Sequence, residues 1–519
     1  MSRIIPRFSV PHGCLFLLLW SAPFAARQTS DQQKPAELPP PVPGNSSSLA
    51  ATFKSRSDLV LLPVVVRDHK GNHTAGLTKD AFRLEEKGKE QEISLFEEIK
   101  APDPDAKPSL MPDRGYSNLP FDNASQLRLT IVVLDLLNTR TLQRTDGKDL
   151  LVKFLSKGFP PNQPVSLLAL TSKGLKLIHP FSTDTNALVE ALQKTPVGAE
   201  TIVSRINVVT STIRQLQDIA QAYTGVPGRK SMIFATGYLP ELKTEREIID
   251  TSIYAGDLHR MWKSLVDANV SVYPIQLLSS SVNPTPGDRP GRAIELLLRN
   301  FADATGGDRC IEANDGLRCL AAAVEDSRSY YMLGFTVQPN DRKPGWRDLK
   351  VKVSAEHADV RTRDGFYFGQ SLREDPKSAH DDEVSALASP LAYSAVPMFV
   401  KALPSPAPSS PAPAADGKKT VEFLVTIPLG SVGIDPLRPH PLDLEVGAIA
   451  LTSDNREAAE FIHPVQGNPK PENLEAWARD GIKFQEKLDL PAGSYNIRFL
   501  ARDNNTSLIG TVVFPLDVK

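Results

Sequence analysis

Hydrophobic and polar positions follow more than one period along this chain. Residues 129–134 are almost wholly apolar and β-branched, which predicts a strand covered on both faces, and the run stops abruptly at Asp135. A helix follows from about Asp146, with Leu150, Leu151, Phe154 and Leu155 on one face. Strands are predicted at 165–170 and 175–178 around the turn Ser172-Lys173-Gly174. Ser182-Thr183-Asp184 then caps a helix carrying Leu188, Ala191 and Leu192. Ile202, Ile206, Val209, Ile213, Leu216 and Ala220, spaced by threes and fours, predict a longer helix. The alternation continues with strand 231–235, helix 246–268, strand 270–278, helix 292–304 ending at Gly306-Gly307, helix 316–326 and strand 330–337. Strands alternating with amphipathic helices imply a doubly wound, mostly parallel α/β sheet. Short strands at 349–353 and 366–368 finish this unit, expected over residues 127–370.

The flanks read differently. Runs at 59–66, 82–86 and 91–98, the first two separated by the turn Asp68-His69-Lys70-Gly71-Asn72, predict a small β domain over 55–100. Residues 101–126, rich in Pro and Asp, and the charged stretch 371–390 read as linkers. Apolar runs at 396–402, 420–427, 442–451, 482–488, 495–501 and 508–516 predict a β-sandwich over 391–519, with the Pro-rich piece 404–413 as a loop inside it. Residues 27–54 form a Pro/Ser-rich tether with too little apolar content to fold.

At 519 residues the chain is long enough for about three domains. A net charge of −2 gives no electrostatic reason to expect nucleic acid or an anionic membrane surface as partner. Arg3 and Arg7, the apolar run 14–20 and the small-residue segment 21–26 follow the order of a cleaved secretory signal, expected over 1–26. That run is too short to span a bilayer, and no later one approaches the ~20 apolar residues a span needs. The expected location is secreted or periplasmic. Removal of Cys14 leaves Cys310 and Cys319, an even pair expected to form a disulfide across a short loop.

No H-E-x-x-H, G-x-S-x-G or G-x-x-x-x-G-K-[ST] signature is present. G-V-P-G-R-K-S at 225–231 has the wrong glycine spacing for a phosphate loop and precedes a strand. His69 and His73 lie four apart in or beside a turn, where a solvated hairpin is the expectation. Asp103 and Asp105 read as solvated linker charge.

The segments V-V-V-R-D-H-K-G-N-H-T-A-G-L-T-K-D-A-F-R-L-E-E, I-V-V-L-D-L-L-N-T, V-E-D-S-R-S-Y-Y-M-L-G-F, V-R-T-R-D-G-F-Y and L-P-A-G-S-Y-N-I-R-F-L-A-R-D occur in that order from about residue 57 to the C-terminus. By these segments the central domain resembles a von Willebrand factor type A domain, and the whole resembles the VWFA-related family abundant in acidobacterial genomes. The resemblance implies a binding face at the carboxyl ends of the strands, with a divalent cation held by an Asp-x-Ser-x-Ser motif, a Thr and a second Asp. Here Asp135 matches the first Asp and Thr139 the second Ser, whereas Leu137 replaces the first Ser, Thr236 stands at the second Asp, and Thr201 is matched to the loop Thr. Asp135 and Thr139 are thus the remaining metal ligands of a degenerate site, and binding of Mg²⁺ is expected to be weak or absent. Asp135, Asn138, Thr139, Thr201 and Thr236 form the expected binding face, with Asp135 held by backbone N–H groups. The leading expectation is an exported, non-enzymatic protein-interaction module with a protein partner. The alternatives are a hydrolase whose acids converge at the strand-end cleft and a structural component of the envelope.

Overall fold

Every residue of the strand Thr130–Asp135 is buried. In the computed structural model this strand is the centre of a five-stranded sheet ordered Val270–Gln276, Lys230–Thr236, Thr130–Asp135, Val165–Thr171, Gly174–Ser182. The first four strands run parallel and the last antiparallel. The described residues are 59–100, 116–118, 128–157, 159–160, 163–198, 205–238, 243, 252–277, 291–308, 316–337, 343, 345–368, 376–403, 418–435 and 440–519. The expected leader (1–26) and tether (27–54), Thr201 and the Cys310–Cys319 pairing lie outside them.

Successive side chains of a strand point to opposite faces, and here each face has its own core. Ile131 and Val133 pack with Ile213 and Leu216 of the helix Arg205–Ala222, Met261 and Trp262 of Ala255–Asp267, and Phe301 of Gly291–Thr305. Val132 and Leu134 pack with Leu151 and Phe154 of Thr141–Lys157, Leu188 of Thr185–Lys194, and Val324 of Gly316–Arg328. Full burial of each such side chain stabilises by about 1.5–3 kcal/mol. The sheet edge at Val270–Gln276 is covered by its own helix end. Thr305 Oγ1 accepts the Val272 N–H at 2.9 Å, and a Cβ on Gly307 would stand 1.9 Å from the Val272 carbonyl, so only glycine lets the chain pass there.

The N-terminal unit corrects the expected boundaries. The strand Leu59–Arg67 pairs with Tyr330–Thr336, which pairs in turn with Leu95–Ile99; Phe82–Glu86 pairs with Gly345–Val353. Two four-stranded sheets result, enclosing Leu62, Val64, Phe82, Leu84, Leu333, Phe335, Leu349 and Phe366. Residues 330–368, which the alternation assigned to the α/β domain, thus complete the N-terminal unit. The few strands of 59–99 cannot enclose a core alone, and their partners arrive more than 230 residues later. At the joint between this unit and the central sheet, Arg67 is paired with Asp326, Tyr273 Oη donates to Asp326 Oδ2 at 2.5 Å, and Arg229 donates to Tyr273 Oη at 2.8 Å. All four are buried, so each charge there needs the others.

Both expected linkers contain structure. Tyr116–Ser117 is an edge strand on Phe399–Ala402, and the buried Asn118 donates to the Tyr393 and Val396 carbonyls (2.5 and 2.9 Å) while accepting the Met398 N–H at 2.9 Å. Pro376–Ala388 is a helix, with Ala386 fully buried. The C-terminal unit is two four-stranded antiparallel sheets around one core that includes Phe423, Val425, Leu444, Ile497 and Phe499. Its strand Glu457–Gly467 and helix Pro471–Asp480 were not anticipated, because E-A-A-E-F-I-H-P-V-Q-G lacks strict alternation and carries a proline. Leu500 and Ile509 of this unit belong to the core on the Arg205–Ala222 side of the central sheet, so the two units pack continuously.

Candidate functional site

At the carboxyl end of Thr130–Asp135 the chain turns through Leu136–Arg140 into the helix Thr141–Lys157. The Asp135 side chain organises that turn. Its Oδ1 accepts the N–H groups of Leu137 (3.0 Å) and Asn138 (2.8 Å), and Oδ2 accepts Asn138 Nδ2 (2.9 Å) and the Thr236 hydroxyl (2.7 Å). Asn138 Nδ2 also donates to Thr212 Oγ1 on the helix Arg205–Ala222 at 3.0 Å. Thr139 Oγ1 accepts the Gly237 N–H at 2.9 Å, which ties the loop after Lys230–Thr236 to the turn. The fit at Gly237 is tight: a Cβ would lie 2.9 Å from Gln143 Oε1 and 3.2 Å from Thr139 Cα, so a side chain there would have to displace Gln143. Arg144 clamps the turn from below through a 2.7 Å bond to the Thr139 carbonyl. Four of the five expected face residues, Asp135, Asn138, Thr139 and Thr236, therefore meet in one network.

Asp135 is fully buried, and burial pushes its carboxyl up to about 6 while the Thr236, Asn138 and Leu137 donors pull it back down. The groups bonded to it are hydroxyl, amide and backbone N–H, with no second acid and no imidazole among them. This donor set does not suit a hard divalent cation. Such an ion needs free oxygen lone pairs, whereas N–H and O–H protons already point at both carboxylate oxygens. Leu137, where the resemblance would want a hydroxyl, is buried in the apolar core. Among the described residues, no group of three or more His, Cys, Asp or Glu could hold a metal ion.

Asp135, Thr139 and Thr236 of the network are buried and Asn138 is half-buried, and the surface around it includes apolar side chains. Among the described residues of the α/β domain the exposed large hydrophobic side chains are Leu142 (70% exposed), Tyr238 (36%), Ile253 (75%) and Leu296 (55%). Each lies where a strand end leads into the next helix: Leu142 in the first turn of Thr141–Lys157, Tyr238 just after Lys230–Thr236, Ile253 just before Ala255–Asp267, Leu296 in the second turn of Gly291–Thr305. Parallel connections bring all of these to the same edge of the sheet, the edge at which Asp135 sits. Arg140 and Thr141 are exposed beside them. Periodicity did not single out these residues, although apolar residues at helix starts outside the buried stripe were a usable signal. Thr212, a hydroxyl beside a run of buried apolar positions, was another.

Other motifs serve the framework. In G-V-P-G-R-K-S, Lys230 is buried with its ammonium on the Val226 and Gly228 carbonyls, and Arg229 is turned into the Tyr273 network. His69 is exposed in its turn, while His73 Nε2 lies 3.4 Å from Glu98 Oε1.

No protein-family model matches this sequence, and no curated protein matches it. Similar solved structures include an aerotolerance-related membrane protein from Bacteroides fragilis (15% identity, 38% of this chain and 98% of that one, TM-score 0.26). A von Willebrand factor type A protein from Catenulispora acidiphila is 10% identical over 86% of this chain and 75% of that one, with a TM-score of 0.24. The VWA domain of SpRpn10 is 15% identical over 36% of this chain and 88% of that one, with a TM-score of 0.23. Scores this low leave the fold to rest on strand order and packing. Among the described residues, no helix is long and apolar enough to cross a membrane.

Proposed function

We propose that this chain is an exported, non-enzymatic interaction module that binds a protein partner through the strand-end face of its α/β domain, without a bound metal ion. One observation carries the reading: the exposed large hydrophobics among that domain's described residues all fall in the connections and early helical turns that follow strand ends, and two of them, Leu142 and Tyr238, flank a turn held by buried hydrogen bonds. Apolar side chains left exposed at strand ends suit an interaction site. The Asp135 network acts as a scaffold: it fixes the turn that carries Arg140 and Leu142 and the loop that carries Tyr238. An acid whose bonded neighbours are all neutral amides and hydroxyls has no partner for general acid–base work, which weighs against the hydrolase alternative. Export rests on the basic–apolar–small order of residues 3–26.

The test uses the full mature chain as bait in the envelope fraction of its source cells, compared with a Leu142→Glu/Ile253→Glu variant of equal melting temperature. A partner retained by the wild type and lost by the variant, with EDTA making no difference, is the expected result. Equal capture by both proteins would refute the face. N-terminal sequencing of the mature protein is expected to start between about residues 23 and 31, and recovery of intact Met1 would refute export.

A further inference from the structure

Two glutamines on the helix Arg205–Ala222 are buried, and only one is satisfied within the protein. Gln215 accepts the Thr171 N–H at 3.2 Å and donates to the Thr171 carbonyl (3.1 Å) and the Ser211 hydroxyl (2.7 Å). Gln217 is 6% exposed, yet its carboxamide forms no hydrogen bond to the described residues. A buried carboxamide carries two donors and an acceptor, and leaving them unmet is costly. Gln217 lines a half-open cleft of about 50 Å³ between the α/β domain and the C-terminal sandwich.

One wall of the cleft is that helix, with Gln221 one turn beyond Gln217, and the second is the helix Ala255–Asp267, which contributes Ser264. The third is the turn between the strands Gly493–Asp503 and Leu508–Val518, which adds Thr506 and the apolar Leu508. Asp503 fixes that turn. It is fully buried, and it accepts the Asn505 N–H (2.9 Å) on one oxygen and the Gly433 N–H (2.7 Å) and Thr506 hydroxyl (2.6 Å) on the other. The end of the first helix is held too. The Ser394 hydroxyl donates to the Ala222 carbonyl at 2.7 Å, and a Cβ on Gly225 would stand 1.6 Å from the Ser394 carbonyl oxygen. Walls held in place this way lower the ordering cost of binding.

We infer that this cleft binds a neutral, hydroxyl-rich small molecule of the class of a single sugar unit. The charges at its rim cancel locally: Arg260 is paired with Asp257 and Lys263 with Asp267, all on one helix, so charge favours neither an anion nor a cation. What remains for a ligand is neutral hydrogen bonding, from the carboxamides of Gln217 and Gln221, the Ser264 hydroxyl and the lone pairs of Thr506 Oγ1. Vicinal hydroxyls, each a donor and an acceptor, match two carboxamides one turn apart, and the C–H face of a sugar ring suits Leu508. A cleft of about 50 Å³ admits the hydroxyl-bearing edge of one ring, and its mouth leaves the rest outside. Gln217 and Gln221 stand about 7–14 Å along the helix axis from Thr212 of the strand-end network, so the site does not rest on the strand-end binding reading.

Saturation-transfer NMR on the full mature chain tests this with the methyl glycosides of glucose, galactose, mannose and N-acetylglucosamine. At least one is expected to bind saturably with a Kd on the order of millimolar, as suits a small ligand held by few hydrogen bonds. Gln217→Leu is expected to weaken that binding roughly tenfold while melting no lower than the wild type, because no hydrogen bond within the protein is lost. Gln221→Ala, at a half-buried position, is expected to weaken it several-fold. No saturable signal from any of the four sugars, or undiminished binding in both variants, would overturn the site. So would displacement of the sugar by equimolar phosphate, which would mark an anion site. A Gln217→Leu melt well below the wild type would overturn it as well, since the carboxamide would then be structural.

Discussion

Replacing Asp135 separates two descriptions of the strand-end turn: an anion held by a cation or by its donors, or a buried acid that stabilises best when neutral. In Asp135→Ala, the Leu137 and Asn138 backbone N–H groups lose their acceptor in a buried site, whereas Asn138 Nδ2 keeps Thr212 and the Thr236 hydroxyl can turn to the Tyr238 carbonyl at 2.9 Å. An unpaired buried donor costs about 1–3 kcal/mol and the half-buried Asn138 donor less, so a loss of about 1–4 kcal/mol is expected. The pH dependence carries the discrimination. The folded-state value of the carboxyl is raised from 3.8 to about 6. Its contribution is therefore fully present below about pH 4 and is lost as pH rises through 6, by about 3 kcal/mol in all. The destabilisation by Asp135→Ala should accordingly be larger at pH 4.5 than at pH 7.5. Asp135→Asn keeps a side-chain acceptor for both backbone N–H groups and should be milder than Ala at each pH. Urea unfolding followed by fluorescence is the assay, since Trp262 is buried in the core of the same domain. A destabilisation that grows from pH 4.5 to 7.5 would mean that the carboxylate is stabilised as an anion, and would refute the burial argument.

Three further outcomes follow from the same geometry. Calorimetric titration with Mg²⁺, Mn²⁺ or Ca²⁺ is expected to show no sub-millimolar binding; such binding, abolished by Asp135→Ala with an unchanged metal-free melt, would show a working cation site. Asn118→Ala removes three buried hydrogen bonds to residues 393–398 and should destabilise the sandwich by about 2–4 kcal/mol in thermal unfolding, and an unchanged melt would show that the 116–118 strand is dispensable. The excised segment 127–370 should aggregate, because Tyr330–Thr336 and Gly345–Val353 lose their partners Leu59–Arg67, Leu95–Ile99 and Phe82–Glu86; a soluble, cooperatively melting fragment would contradict that pairing.

The sequence by itself determined the elements whose signal is local. The apolar run ending at Asp135 needs only its own residues to specify a doubly buried strand, and the spacing of Val209, Ile213 and Leu216 needs only its own helix to specify a buried face. Asp184 is likewise a local cap, accepting the Asn186 and Ala187 N–H groups. The polar chemistry at the strand end was legible in part, because Asp135, Asn138 and Thr139 are neighbours in the chain. Tertiary structure alone decided what comes from far away: Thr212 and Gly237 in the network, and Tyr330–Thr336 leaving the α/β unit for the N-terminal sheet. It also decided that Asn118 and the helix Pro376–Ala388, read as linker, are built into the packing. Hydrophobic period reports which face of an element is buried and carries no information about which distant element covers it. That choice belongs to the packing of the whole chain, and it left the side chains of Leu142, Tyr238, Ile253 and Leu296 exposed.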